Sequence, residues 1–104
     1  MKKHIFTMTD EAYENILDEA LIDSYGDDEQ IASFCAYLQN ETKPPIYGDI
    51  AGAPVQVVDF TNDSSRVAAL VDTAGKHYEI DLMSIEFESS PLPIAVYRKW
   101  REDW

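Results

Sequence analysis

The sequence predicts an α+β fold, with two N-terminal helices packed on a small antiparallel SH3-like barrel and a short C-terminal helix. Three observations lead there. Apolar residues recur at helical spacing through the first forty or so positions, and the period changes from about residue 46. Clusters of Asn, Asp, Ser, Gly and Pro then punctuate short runs rich in Val, Ile and Phe, as they do between antiparallel strands. A final stretch with two tryptophans returns to helical spacing. The chain of 104 residues fits one domain, and 45% hydrophobic content is enough for a core.

The first helix is expected from about residue 10 to 24. Ala12, Tyr13, Ile16, Leu17, Ala20 and Leu21 form one stripe, and Glu11, Glu14, Asp18 and Glu19 fall mainly off it. Thr9 is placed to cap it. Gly26 reads as the residue that stops this helix, as a left-handed cap would. The second helix restarts at once. Asp27 stands where a cap is needed and Gln30 three positions later, which is capping-box spacing. Ile31, Phe34, Cys35 and Leu38 make its buried face, and Pro44-Pro45 ends it and opens an extended loop.

Residues 54–61 read as a strand with both faces partly buried. Residues 62–65 are turn formers, residues 66–73 a second strand, and Ala74-Gly75 a turn. In residues 77–82, Tyr78, Ile80 and Leu82 are expected to point one way and Glu79 and Asp81 the other. Ile85 and Phe87 suggest one more short strand. After Ser90, Pro91 and Pro93, residues 94–103 suit a helix with Val96, Trp100 and Trp104 on one side.

Charge narrows the function. Twenty acids against eight Lys and Arg give a net charge of −12. Such a surface repels nucleic acid and anionic lipid and attracts metal cations or a basic protein. Between residues 4 and 42 there is no Lys or Arg at all. Lys2, Lys3 and His4 are followed only by a brief apolar run, too short for a secretory signal, and no stretch approaches a membrane span. The expected location is the cytoplasm. The single cysteine, Cys35, excludes an intrachain disulfide and a multi-cysteine zinc site, and on an apolar helix face it reads as a core residue. His4 and His77 lack ligand spacing to each other or to Cys35. No phosphate loop, nucleophile elbow or Ser/His/Asp pattern is present, so no enzyme activity is expected.

The densest feature is the run from Asp23 to Gln30, in which Asp23, Asp27, Asp28 and Glu29 surround Tyr25-Gly26. Calcium takes six to eight oxygen ligands in flexible geometry, and a turn gathers side-chain and backbone oxygens that a straight helix keeps apart. The run is not an EF-hand. Counted from Asp23, position 6 is Asp28 where that loop needs Gly, and position 12 is Phe34 where it needs Glu. The same acids also suit the first turn of a helix, where they complement the macrodipole. Asp59, Asp63 and Asp72, the pair Glu79 and Asp81, and Asp49 beside Gly48 are further acidic groups, each also readable as a solvated face.

The segments Leu21 to Gln30 and Ala36-Tyr37-Leu38-Gln39-Asn40 resemble the start of the small acidic calcium-binding proteins first described from cyanobacteria. Gly52 to Val58 is similar to that family's first barrel strand, His77 to Ile85 to its final strand and turn, and Ala95 to Trp104 to its Trp-rich terminal helix. The resemblance spans about residues 18–104. It implies calcium buffering or signalling, as a buffer or a sensor, with Ca2+ as the bound ion. The candidate ligands, Asp23, Asp27, Asp28 and Glu29, come from the acidic turn itself and not from the resemblance. The alternative is an acidic inhibitor or nucleic-acid mimic. There the lysine-free helical face would occupy the groove of a basic protein partner such as a nuclease.

Overall fold

The computed structural model describes residues 9–22, 24–63, 65–87 and 90–102. The elements run α1 (Asp10–Ala20), α2 (Asp27–Glu41), β1 (Ile46–Ile50), β2 (Ala53–Asn62), β3 (Val67–Thr73), β4 (Lys76–Asp81), a 3-10 turn (Leu82–Ser84) and α3 (Leu92–Glu102). The strands form one antiparallel meander in the order β1-β2-β3-β4. The α+β class, the two N-terminal helices, the small sheet and the terminal helix are therefore as expected. Trp104 lies outside the described residues.

Thr9 caps α1, its Oγ1 accepting from Ala12 N–H at 3.1 Å. The helix then stops at Ala20, with Leu21 as C-cap, four residues short of the expected end. Asp18 and Glu19 lie close to the C-terminus, and no Lys or Arg stands in the last turn, so the macrodipole opposes continuation into further acids. Gly26 does not close α1. It is the N-cap of α2 in extended backbone, φ 172° and ψ 159°, and Asp27 is already inside the helix. The Asp27–Gln30 capping box is therefore not formed. Instead Glu29 Oε1 reaches back to accept from Tyr25 N–H at 2.9 Å.

Residues 46–50, expected as loop, are a strand. Each pairs with β2, from Ile46 opposite Val57 to Ile50 opposite Ala53. Its signal is thin because Gly48 interrupts the two isoleucines that face inward. Gly48 has its own reason to be glycine. A Cβ there would lie 2.7 Å from Glu86 O and 2.8 Å from Ile85 Cγ2. That close approach lets Asp49 and Glu86 exchange two backbone hydrogen bonds of 2.8 Å. The extra strand expected around Ile85 and Phe87 is reduced to this one bridge, which ties the segment after β4 back to β1 and joins the two ends of the meander.

Both tight hairpins use Ala-Gly. Ala51-Gly52 joins β1 to β2 and Ala74-Gly75 joins β3 to β4, with φ of 52° and 87° in the first and 53° and 77° in the second. Two positive φ values in a two-residue loop suit the right-handed twist of the strands. In β2, Val57 pairs with Val71 but Asp59 with Leu70, so Val58 is the extra residue of a bulge. The bulge explains why Val55, Val57 and Phe60 are all buried although their spacing breaks period two.

The core lies between α2 and α3 and the inner face of the sheet. Ile31, Phe34 and Leu38 of α2 and Ile94, Val96 and Tyr97 of α3 are fully buried with Val57, Phe60, Val67 and Ala69. Phe34 meets Tyr97 edge-on at 5.2 Å between centroids and Trp100 at 5.1 Å. Gln39 Nε2 donates to Phe60 O at 2.7 Å, a polar tie between α2 and the sheet. Helix α1 is peripheral. Only Ala20 is buried, while Tyr13, Ile16, Leu17 and Leu21 lie partly buried against the core, as the expected stripe requires. Lys99 Nζ sits 4.7 Å from the centroid of Tyr13 and links α3 to α1.

Two outcomes are expected. The Tyr97 hydroxyl accepts from Val67 N–H at 2.9 Å inside the core. Tyr97→Phe leaves that N–H buried and unpaired, and should lower urea-unfolding stability by about 1–3 kcal/mol with the fold retained. Gly48→Ala should cost roughly 1–3 kcal/mol by overpacking. In amide exchange it should release the Asp49 and Glu86 N–H groups before the rest of β1.

Candidate metal centre

The acidic turn lies between the end of α1 and the start of α2. The C-terminal carbonyls of α1 carry partial negative charge, and the first turn of α2 adds Asp27, Asp28 and Glu29. Ser24 N–H donates to Leu21 O at 3.1 Å and Gln30 N–H to Gly26 O at 2.9 Å. The Ser24 and Ser33 hydroxyls share a short hydrogen bond that pins the turn against α2. The turn is open to water. Ile22 is 69% and Tyr25 79% exposed, and Asp27, Asp28 and Glu29 are exposed.

Of the four expected ligands, Asp23 lies outside the described residues. The other three follow one another along the first turn of α2. Asp28 Oδ1 accepts from Glu29 N–H at 3.0 Å, and Glu29 Oε1 accepts from Tyr25 N–H. These bonds use one oxygen of each carboxylate and leave the second oxygen available. The Asp27 carboxylate has no hydrogen-bond or ion-pair partner among the described residues. Capping and cation binding are therefore compatible here. The donors are all oxygen, which suits a hard cation rather than a transition metal. Among the described residues no group of three or more His, Cys, Asp or Glu side chains is already arranged around one point. An ion at this turn has to draw its ligands together, with backbone carbonyls and water filling the shell.

The other acidic groups are dispersed. Asp63 is committed to the turn between β2 and β3, where its Oδ1 accepts from Ser65 N–H and Oγ at 2.8 Å each and from Arg66 N–H at 3.1 Å. Asp59 Oδ1 accepts from Phe60 N–H. Asp72 lies on β3, so the three strand-turn acids do not meet. Glu79 accepts from Thr61 Oγ1 at 2.8 Å. Asp81 accepts from Met83 N–H at 2.9 Å and faces Arg66 at 3.8 Å. In β4, Tyr78 and Ile80 pair with the buried Val71 and Ala69 and so share one face, as expected, although Tyr78 at the strand's outer end stays exposed; Leu82 is buried in the 3-10 turn that follows. Asp49 is exposed on β1.

Cys35 is a core residue, as expected. Burial first, and the charge of Asp59 second, push its thiol up to about 11, far from a nucleophilic thiolate. Tyr37 donates to Glu19 Oε1 at 3.3 Å between α2 and α1. Burial and then the Glu19 charge and hydrogen bond raise its phenol to about 12. Arg98 donates to Ile85 O, and Lys99 covers the Tyr13 ring.

The fold matches that of two solved structures. The crystal structure of Anabaena CcbP superposes with a TM-score of 0.74 at 19% identity, covering 91% of this chain and 93% of that one. The chain shares its fold with that protein. A calcium binding protein in its calcium-binding form superposes with a TM-score of 0.73, also at 19% identity, over 90% of this chain and 92% of that one. No protein-family model and no curated protein matches the sequence. No helix among the described residues is long and apolar enough to cross a membrane.

A pH dependence follows from Asp63. The Ser65 N–H, then its hydroxyl, then Arg66 hold the carboxyl at about 2, below an ordinary 3.8. A lowered folded-state value stabilises the fold above the unfolded value and loses that effect as pH falls. The stability difference between the wild type and Asp63→Ala should be constant above the ordinary carboxylate range. It should narrow as pH falls from 3.8 through about 2, read from urea midpoints across that window.

Proposed function

We propose that the protein binds calcium, as a buffer or sensor, through the acidic turn between α1 and α2. Asp27, Asp28 and Glu29 are the proposed carboxylate ligands, together with Asp23. The observation that carries this reading is the shared fold. It extends over nine-tenths of the chain, and one of the two matching structures is described as a calcium binding protein in its calcium-binding form. The physical chemistry of the turn agrees. The end of α1 and the three acids in the first turn of α2 adjoin along a stretch of chain that carries no compensating Lys or Arg. A divalent cation there relieves like-charge repulsion among the carboxylates, and the partial negative charge at the α1 C-terminus offsets the opposing partial positive charge at the α2 N-terminus. The proposed setting is a cytoplasmic, non-enzymatic protein in which binding itself is the activity.

Calorimetric titration with calcium against a magnesium control tests this. Calcium at a hundredfold excess over Kd should stabilise the fold by about 2.7 kcal/mol, seen as a rise in Tm. Asp27→Asn combined with Asp28→Asn should weaken binding about tenfold or more, since charge count sets calcium affinity. Glu29→Gln separates the two roles of that residue. Its amide oxygen still accepts from Tyr25 N–H, so the metal-free Tm should hold while calcium affinity drops. No heat and no Tm shift at millimolar calcium would refute the proposal.

A further inference from the structure

An open groove of about 420 Å³ crosses β1, β2 and β3 and ends at the turn between β3 and β4, well away in sequence from the acidic turn. Tyr47, Gln56 and Asp72 stand opposite one another in register, so they form one row across three strands. Asp49 and Pro54 form the next row. Tyr47 is 69% exposed, a large ring left on the surface with only a loose 3.5 Å contact from Gln56 Nε2 to its hydroxyl. Among the described residues the carboxylates of Asp49 and Asp72 have no hydrogen-bond or ion-pair partner. In an acidic protein most carboxylates would face water anyway. What distinguishes these two is that they flank an aromatic ring and a proline within one concavity.

We propose that this groove docks an extended, arginine-bearing segment of a basic partner protein. Strand spacing decides against a metal ion. Asp49 and Asp72 are two strands and two residues apart, roughly 12 Å between Cα atoms. Calcium oxygens must converge to about 2.5 Å from one centre, which that separation does not permit. An extended peptide meets the geometry. Side chains on one side of it repeat every ~7 Å, and the length of an arginine covers the remainder. A guanidinium stacks on a tyrosine face and pairs in a planar fork with a carboxylate, so one arginine would lie on Tyr47. The aliphatic stem of the arginine would lie on Pro54. The net charge of −12 steers such a segment in, and Tyr47 with the two flanking carboxylates gives it a place.

The test is a fluorescence-anisotropy titration of the full chain with a labelled nine-residue peptide carrying arginine at alternate positions, with and without calcium. Tyr47→Ala changes no charge and should weaken binding about fivefold or more. Asp49→Asn with Asp72→Asn should weaken it about tenfold, whereas Glu11→Gln with Glu14→Gln on α1, which removes the same charge, should change it less than about twofold. Amide NMR shifts on peptide addition should fall on β1, β2 and β3. Equal losses in the two acid pairs, no effect of Tyr47→Ala, or shifts centred on residues 24–29 would each overturn the proposal. None of those outcomes decides calcium binding, which the calorimetric titration reads separately.

Discussion

One buried hydrogen bond joins the parts that everything else leans on. Tyr97 of α3 places its hydroxyl on Val67 N–H at the first residue of β3. Its ring is packed against Phe34 of α2 and Trp100 of its own helix. A single side chain thus meets both core helices and a central strand. Burial raises the phenol from its ordinary value, in the direction that favours the neutral hydroxyl. Without that hydroxyl the strand would begin on an unpaired N–H inside the core. Around this point the aromatic cluster sets the spacing of α2 and α3, and α1 is added outside, held by partly buried residues and by Lys99 over Tyr13.

The peripheral position of α1 bears on the acidic turn. A helix that contributes one fully buried residue has few contacts to resist a small shift. Its acids stand at both ends. Asp10 and Glu11 suit the N-terminus, while Asp18 and Glu19 oppose the C-terminus. The α1 side of the turn that follows is therefore electrostatically unfavourable, while the acids on its α2 side suit the start of that helix, and the turn is open to water. A cation there would act on the least firmly held element of the fold, while the core built on Tyr97 would remain in place. That is a workable division for a buffer, which needs little conformational change, and for a sensor, which needs one movable part.

The fold was legible where burial is periodic along one segment. The stripes of α1, α2 and α3 and the strands β2 to β4 all read from spacing. What was not legible depends on contacts between distant segments. β1 carries only two inward isoleucines around Gly48, and the need for glycine there comes from Glu86, thirty-eight positions on. The bulge at Val58 is invisible until β2 is laid on β3. The dipeptide Ala51-Gly52 was a missed signal, since the same Ala-Gly pair marks the turn at Ala74-Gly75. Glycine often ends a helix, and the sequence suggests that role for Gly26. Its extended φ shows it opening the next one instead. Of the candidate ligands, Asp27, Asp28 and Glu29 stand out in the sequence because they adjoin, and the structure places them in the first turn of α2.

The two acidic regions differ in the same way, and the difference points to different ligands. The turn is assembled by sequence neighbours, so its oxygens already lie within a few ångströms of chain and can be drawn around one small ion. The groove is assembled by register, from β1, β2 and β3, and strand spacing holds its carboxylates apart. No side-chain motion brings them onto a single centre. Charge of one sign therefore does not imply one kind of partner. Where backbone curvature gathers carboxylates, the natural counter-charge is a point. Where a sheet spreads them beside an exposed ring, it is a chain with its charges spread to match.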